Sequence, residues 1–317
     1  MEYAPVSHSQ TTRPLVRLPS GGSVSVTVHR YVGGDGPTIY LQATQHGIEL
    51  NGPATLRRLH EELTNRSIAG TVVVIPVVNP LAFDHRSYIT PAEYDARNPN
   101  LNRVWPGSDD GSLQERLAAS LWPLISSAEA VVDLHTGTAD MLEHVRHFRD
   151  QPAATDLAKA FDTDYRLVDE LESEAEFERG TLRAAAAHAD VPAITVELKN
   201  SRQVVHSAVE TGLSGIRNVL ASRSVLDEPI TESSEQVVLD RDGHAVTATE
   251  SGLFELDPSL AVGDTVEDGD PLGVIYSPST FDALETVRTK KAGTIYSLAR
   301  ESVVVTGERV AAIGEPV

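Results

Sequence analysis

The chain has 317 residues, 40% of them hydrophobic, which is enough for a sizeable core and, from the length, for two domains. Its 46 Asp and Glu outnumber 26 Lys and Arg, and the net charge of −20 argues against nucleic-acid binding, which needs a basic footprint. No cysteine is present, so disulfides and thiolate ligands are excluded and any metal site must use His, Asp and Glu.

Residues 1–13 are polar and are expected to be partly ordered at best. The start Met1-Glu2-Tyr3-Ala4-Pro5 lacks the basic and apolar regions of a secretory signal, and no run of about 18 apolar residues follows anywhere. A cytoplasmic protein with no membrane segment is the expectation. Val16 to Arg30 alternates around Gly21-Gly22, as a hairpin does. An apolar run, Thr38 to Ala43, predicts a strand that ends at the loop Gln45-His46-Gly47-Ile48-Glu49. A helical pattern covers Pro53 to Leu63. Thr71 to Val78 is continuously apolar, which fits a strand buried on both faces. Residues 79–111 are rich in Pro, Asn and Gly, and long irregular stretches of this kind are often functional. Ser112 to Ser127 predicts a helix, with Ser112 and Glu115 as a capping box.

Ala130 to Leu134 predicts a short buried strand ending at His135. Helices are expected at Ala153 to Phe161, Thr181 to Ala189 and Ser207 to Ser222, with a buried strand at Ala193 to Leu198. Strands alternating with helices imply an α/β sheet covered on both faces. After a polar linker, Ser222 to Ser234, short alternating runs are separated by turns such as Asp242-Gly243, Val262-Gly263-Asp264 and Thr306-Gly307-Glu308. The expectation is an α/β domain over residues 1–234 and a small all-β domain over residues 235–317.

Open α/β sheets hold ligands at the carboxyl ends of their strands, where both His46 and His135 fall. His46, Glu49 and His135 together make a three-ligand zinc site with an open fourth position for water. Glu197 lies inside an apolar strand, where a carboxylate costs several kcal/mol unless it is paired, hydrogen-bonded or protonated. It is either half of an ion pair, for example with Arg202, or a general base beside the metal with a pKa close to working pH. Asn102-Arg103 puts an amide beside a guanidinium, a pair suited to a substrate carboxylate. Arg86 and Arg97 are further cations in the same stretch.

These pieces resemble the succinylglutamate desuccinylase/aspartoacylase family, within the zinc carboxypeptidase superfamily. The matching segments are His46-Gly47-Ile48-Glu49, Asn79-Pro80-Leu81-Ala82-Phe83, Asn100-Leu101-Asn102-Arg103 with Pro106-Gly107, Asp133-Leu134-His135-Thr136-Gly137 and Thr195-Val196-Glu197-Leu198. The resemblance implies a three-layer mixed sheet of zinc-carboxypeptidase type and one zinc per chain, held by His46, Glu49 and His135. It implies that Glu197 is the general base and that Asn102 and Arg103 hold the substrate's carboxylate. It matches Arg86 to the arginine that steadies the oxyanion, with Arg97 as the rival. Two positions depart from many relatives. Asn100 stands where an Asp is expected to support the first zinc histidine, and Lys199 follows Glu197 where a small residue is usual.

The C-terminal residues resemble a barrel-sandwich hybrid, the fold of lipoyl and biotinyl carriers, and Lys290-Lys291 invites a carrier reading. Only four lysines occur, and a Lys-poor acidic surface is similar to that of cytoplasmic proteins from salt-loving microbes. The expected activity is zinc-dependent hydrolysis of the amide in a small N-acyl amino acid, and a homo-oligomer is among the expected states of the chain. The alternatives are a peptide carboxypeptidase and a non-catalytic binding or carrier protein on the same fold.

Overall fold

A computed structural model describes residues 2–137, 140–173, 177, 179–231, 235–240, 245–299 and 302–317. The chain opens with strands β1 (Ala4–Pro5), β2 (Ser7–Arg17), β3 (Ser23–Val32) and β4 (Gly34–Ala43), then helix α1 (Asn51–Leu63) and β5 (Ser67–Ile75). Next come α2 (Pro80–Asp84), a 3-10 turn (Leu101–Arg103), α3 (Leu113–Ser126), β6 (Ala130–Gly137), β7 (Asp140–Met141) and β8 (His144–Phe148). Helix α4 (Pro152–Phe161), β9 (Tyr165–Asp169), α5 (Leu182–His188), β10 (Ala193–Asn200) and α6 (His206–Ser222) complete the first two-thirds.

The apolar strands behave as their composition demands. In β4, β5, β6 and β10 alternate side chains enter two separate cores, so each strand is buried on both faces. Ile39, Leu41, Val72, Val74, Val132, Leu134, Ile194 and Val196 pack beneath α1, α4 and α6. Tyr40, Val73, Ile75 and Val131 pack on the other side, against Leu117 and Leu121 of α3 and Leu182 and Ala186 of α5. The result is three layers around a large mixed sheet in the order β2-β3-β5-β4-β6-β10-β8-β9. Strands β5, β4, β6 and β10 run parallel, β2 and β3 pair antiparallel to their neighbours, and β8 pairs antiparallel with β10 but parallel with β9.

The N-terminal expectation is corrected. Residues 7–17 form an ordered strand that pairs with β3 from Ser7↔Val32 to Arg17↔Ser23. This is the sheet edge, where one side of a strand faces solvent, so polar residues and Pro14 are compatible with pairing. The hairpin turn falls at Gly21-Gly22, and Leu18 and Gly22 close it through an N–H···O bond of 2.8 Å. Glu115 accepts from the Ser112 backbone N–H at 2.7 Å, on the carboxylate side of the capping pair.

Beyond α6 the described residues hold strands and no helix: β11 (Val237–Asp240), β12 (Ala245–Thr247), β13 (Gly252–Leu256), β14 (Thr265–Val266), β15 (Pro271–Tyr276), β16 (Ala283–Arg288), β17 (Gly293–Leu298), β18 (Val303–Val304) and β19 (Arg309–Pro316). Strands β16, β15, β13 and β18 make a separate sheet, and this region has its own apolar cluster, including Phe254, Leu272, Ile275 and Ile295. Its hydrogen-bond ladder is nevertheless continuous with the main sheet. Strand β11 pairs parallel with β9, and β19 pairs with β11. The expected turn Asp242-Gly243 and the linker's last residues, 232–234, lie outside the described residues. No helix among the described residues is long and apolar enough to cross a membrane.

Candidate active site

The site forms where β4 and β6 end side by side. Gln42 lies opposite Asp133 in the ladder, and Thr195 and Glu197 of β10 lie opposite Asp133 and His135. Alternation then places Gln42, Asp133, His135, Thr195 and Glu197 on one face of the sheet, while Val132, Leu134 and Val196 fill the core on the other. His46 and Glu49 reach the same place from the loop after β4. That loop is pinned by Asn79, whose amide donates to the Gln45 carbonyl at 3.0 Å and whose oxygen accepts from Ala82 N–H at 3.2 Å. Gly47 has no side chain because the α2 backbone occupies the space: a Cβ there would lie 2.1 Å from the Ala82 carbonyl.

One ligand atom from each of His46, Glu49 and His135 lies within 4.8 Å of the other two, and all three residues are buried. His135 Nδ1 faces Glu49 Oε2 at 3.1 Å, and its Nε2 donates to Asp133 Oδ2 at 2.9 Å. Asp133 is held in turn by the amides of Gln42 (2.9 Å) and Gln45 (2.7 Å), and Trp105 Nε1 donates to the Gln45 oxygen at 2.7 Å. His46 Nδ1 donates to the Tyr88 carbonyl at 3.2 Å, and the Tyr88 ring stacks on the imidazole at 4.0 Å. Each histidine therefore has one nitrogen committed to an outer partner and one turned to the common centre, the usual state of metal-binding imidazoles.

The electrostatics favour a cation. Burial pushes the His46 pKa down to about 3, and the neighbouring His135 adds to this, so His46 is neutral. Burial also raises Glu49, against the pull of His135. For His135 burial opposes the charge, but Asp133 and Glu49 outweigh it and hold the pKa well above the ordinary value. Buried Glu49 Oε2 has no hydrogen-bond partner besides the facing His135 Nδ1. One buried carboxylate, Glu49, and two imidazoles that each turn a nitrogen to the common centre, with Asp133 behind His135, fit a metal ion of the borderline type that accepts N and O ligands.

Glu197 is half-buried at the side of this group, and its Oε2 is buried without a hydrogen-bond partner. Arg202, the alternative ion partner, is exposed, and no ion pair links it to Glu197 among the described residues. The cavity in front is about 270 Å³ and is lined by His46, Glu49, His135, Glu197, Asn102 and Arg103. Asn102 Oδ1 accepts from Leu182 N–H at 3.0 Å, which docks the 3-10 turn on α5, and Arg103 donates to the Asn102 carbonyl at 2.6 Å.

The other sequence candidates lie elsewhere. Arg86 and Arg97 are exposed and outside the cavity lining. Asn100 caps its own turn, accepting from Asn102 N–H at 2.9 Å, and the outer partner of His46 is the Tyr88 carbonyl. Lys199 has a left-handed backbone (φ 56°) and reaches Ser207 at 3.4 Å and Glu143 at 3.9 Å, outside the cavity. Lys290 and Lys291 sit in an exposed bend before β17.

Sequence reasoning missed several lining residues: Tyr88, His144, Arg146, Arg183, Tyr296 and Arg309. Burial pushes His144 down to about 4. Arg146 and Arg183 both pair with Asp169, Arg146 at 2.9 Å, and Arg183 also lies 4.2 Å from the Phe148 ring centre. Tyr296 and Arg309 come from β17 and β19, so the C-terminal strands help to wall the cavity. Six residues (Arg103, Arg146, Thr181, Arg183, Tyr296 and Arg309) line both this cavity and an adjoining one of about 590 Å³.

Residues 35–223 match the succinylglutamate desuccinylase/aspartoacylase catalytic domain. The chain is 27% identical over 309 residues to N-alpha-acetyl-L-2,4-diaminobutyric acid deacetylase of Halomonas elongata, covering 93% of this chain and 87% of that protein. Its structure is similar to the product-bound ectoine utilization protein EutE (DoeB) of Ruegeria pomeroyi, with a TM-score of 0.85, 26% identity and coverage of 99% and 96% of the two chains. A succinylglutamate desuccinylase/aspartoacylase of Rhodobacter sphaeroides shares the fold, with a TM-score of 0.84 at 24% identity over 99% of this chain and 96% of that one. With the catalytic-domain match spanning more than half of its length, the chain belongs to the succinylglutamate desuccinylase/aspartoacylase family.

Proposed function

We propose that the protein is a zinc-dependent amidohydrolase that removes the acyl group from a small N-acyl amino acid. The observation that carries this is the buried His46–Glu49–His135 group with the unpartnered Glu197 carboxylate beside it. Zinc held by His46, Glu49 and His135 would supply Lewis acidity, making water acidic enough to yield hydroxide near neutral pH. Glu197 Oε2 takes the proton from the attacking water and passes it to the departing amine, as a general base and then a general acid. Arg103 offers its guanidinium to the substrate's carboxylate, and Asn102 sets the position of that turn. Arg146, Arg183 and Arg309 bring further positive charge to the cavity wall, where an oxyanion or an acidic acyl group would be favoured. Arg86 and Arg97 have no part in this version of the site. The residues up to 234 act as the catalytic unit, and the strands from 235 on, a barrel-sandwich-hybrid-like unit, complete its wall.

The deacetylase relative from Halomonas elongata supports an N-acetyl amino acid as the first substrate to try. The adjoining cavity of about 590 Å³ favours a second reading, cleavage of the C-terminal residue of a peptide, because it offers room beyond a single acyl group. A panel of N-acetyl and N-succinyl amino acids set against short peptides separates the two. Amine release from an acyl amino acid and none from peptides supports the deacylase. Preference for peptides would replace it with the carboxypeptidase.

A further inference from the structure

A second group of histidines lies on the opposite face of the sheet. His8 of β2 stands across from Tyr31 of β3, and His29 lies two residues before Tyr31 on the same strand, so all three side chains share a face. This face carries α1, whose last turn supplies His60. The cavity residues His135 and Glu197 project from the other face, and neither cavity is lined by any of these histidines.

The geometry is that of a ligand set. One nitrogen from each of His8, His29 and His60 lies within 4.8 Å of the other two. His8 Nε2 and His29 Nδ1 are 3.1 Å apart. Two imidazole nitrogens on one tetrahedral zinc, each at about 2.0–2.1 Å, are separated by about 3.3 Å. His60 Nδ1 is hydrogen-bonded to the Tyr31 hydroxyl at 2.8 Å, and Tyr31 is only 1% exposed. When the phenol oxygen accepts from Nδ1–H, the Nε2 lone pair of His60 is available. Outer partners of this kind orient metal-binding imidazoles. The set contains no carboxylate. Three imidazoles suit zinc, nickel or copper and not the oxygen-seeking magnesium or calcium. The three residues are half-buried, which leaves a path for an ion and an open position for water.

We propose that His8, His29 and His60 form a second divalent-metal site, for zinc or another imidazole-preferring ion, that fastens the edge strands β2 and β3 to α1. The ion ties together segments far apart in sequence and closes the N-terminal edge of the sheet. The site is independent of the catalytic reading, because it shares no residue with the cavity.

The test is zinc titration of the metal-stripped full-length protein by calorimetry, with thermal unfolding of each protein with and without zinc. The parent is expected to bind two zinc ions per chain, and His46→Ala to lose the buried one only. His29→Ala and His8→Ala are each expected to lose one site, in the parent and in the His46→Ala background, and to lose the zinc-dependent rise in unfolding temperature that belongs to that site. Turnover by the two surface variants should match the parent. His8 lies on the edge strand, so His8→Ala keeps the test readable if His29→Ala fails to fold. An unchanged zinc count in His8→Ala or His29→Ala would overturn the proposal and leave the rings as a stacked surface cluster.

Discussion

At the scale of single residues, the candidate site leaves a few buried atoms without partners and fixes the groups around them. Glu197 Oε2 is such an atom, while His135 is fixed by Asp133. Glu197→Gln keeps the shape but cannot accept a proton, so turnover should fall by roughly 10²- to 10⁴-fold with the metal content unchanged. Steady-state kinetics with elemental analysis checks this, and parental turnover would remove Glu197 as the base. Asp133→Asn keeps the packing but removes the charge behind His135, so metal affinity should drop by roughly 10- to 100-fold. A competition titration against a chelator measures it, and an unchanged affinity would mean that Asp133 only fills space. The two histidines and Glu49 were legible because each falls at or near the end of an apolar strand. The role of Asp133 was not assigned, although a buried Asp two residues before His135, on the same face, was the available signal. Arg146, Arg183 and Arg309 were illegible for a different reason: they reach the cavity from strands and a helix with no motif of their own, and only folding brings them to Arg103.

At the scale of elements, the long loop between α2 and α3 carries Tyr88 and the Asn102-Arg103 turn, and it needs anchors of its own. Asp95 is one. Its carboxylate accepts from the backbone N–H groups of Gln114 (2.8 Å), Asn98 (2.9 Å) and Arg97 (3.1 Å), which ties the loop to the start of α3. Burial alone would raise the Asp95 pKa, but these donors outweigh it and hold it below the ordinary value. A carboxylate depressed in the folded state stabilises the protein above its unfolded pKa of about 3.9, and the contribution is lost as pH falls through the lower folded value. Asp95→Ala should therefore cost roughly 1–3 kcal/mol at neutral pH and progressively less in acid. Denaturant unfolding at a series of pH values checks this, and a cost that grows toward low pH would contradict the assignment. The short α2 lies in the stretch read as irregular, whereas the five longer helices were readable from their apolar spacing, with ends within about two residues. Strands β2, β8 and β9 were not. β8 is His-Val-Arg-His-Phe and β9 is Tyr-Arg-Leu-Val-Asp, so charged and imidazole side chains interrupt the apolar runs that mark buried strands.

At the scale of the whole molecule, one ladder of hydrogen bonds runs from the edge strand β2 to the C-terminal strands, and Tyr296 and Arg309 bring the far end of the chain back to the cavity. The switch to short strands after residue 235 was visible in the spacing of turns. The pairing of β11 with β9 was not, because strand order depends on contacts distant in sequence. A net charge of −20 acts on the entire assembly. Like charges repel most in the compact state, and salt screens them: the Debye length falls from about 10 Å at 0.1 M to about 3 Å at 1 M. The unfolding temperature should rise across that range of sodium chloride, and a level or falling midpoint would show that repulsion is not limiting. The measurement that bears most directly on the central claim is hydrolysis of N-acetyl amino acids by metal-stripped protein before and after zinc is restored, in the parent and in His46→Ala. Turnover that returns with zinc in the parent and not in the variant is the predicted result. Turnover that ignores zinc, or that survives in His46→Ala, would contradict it.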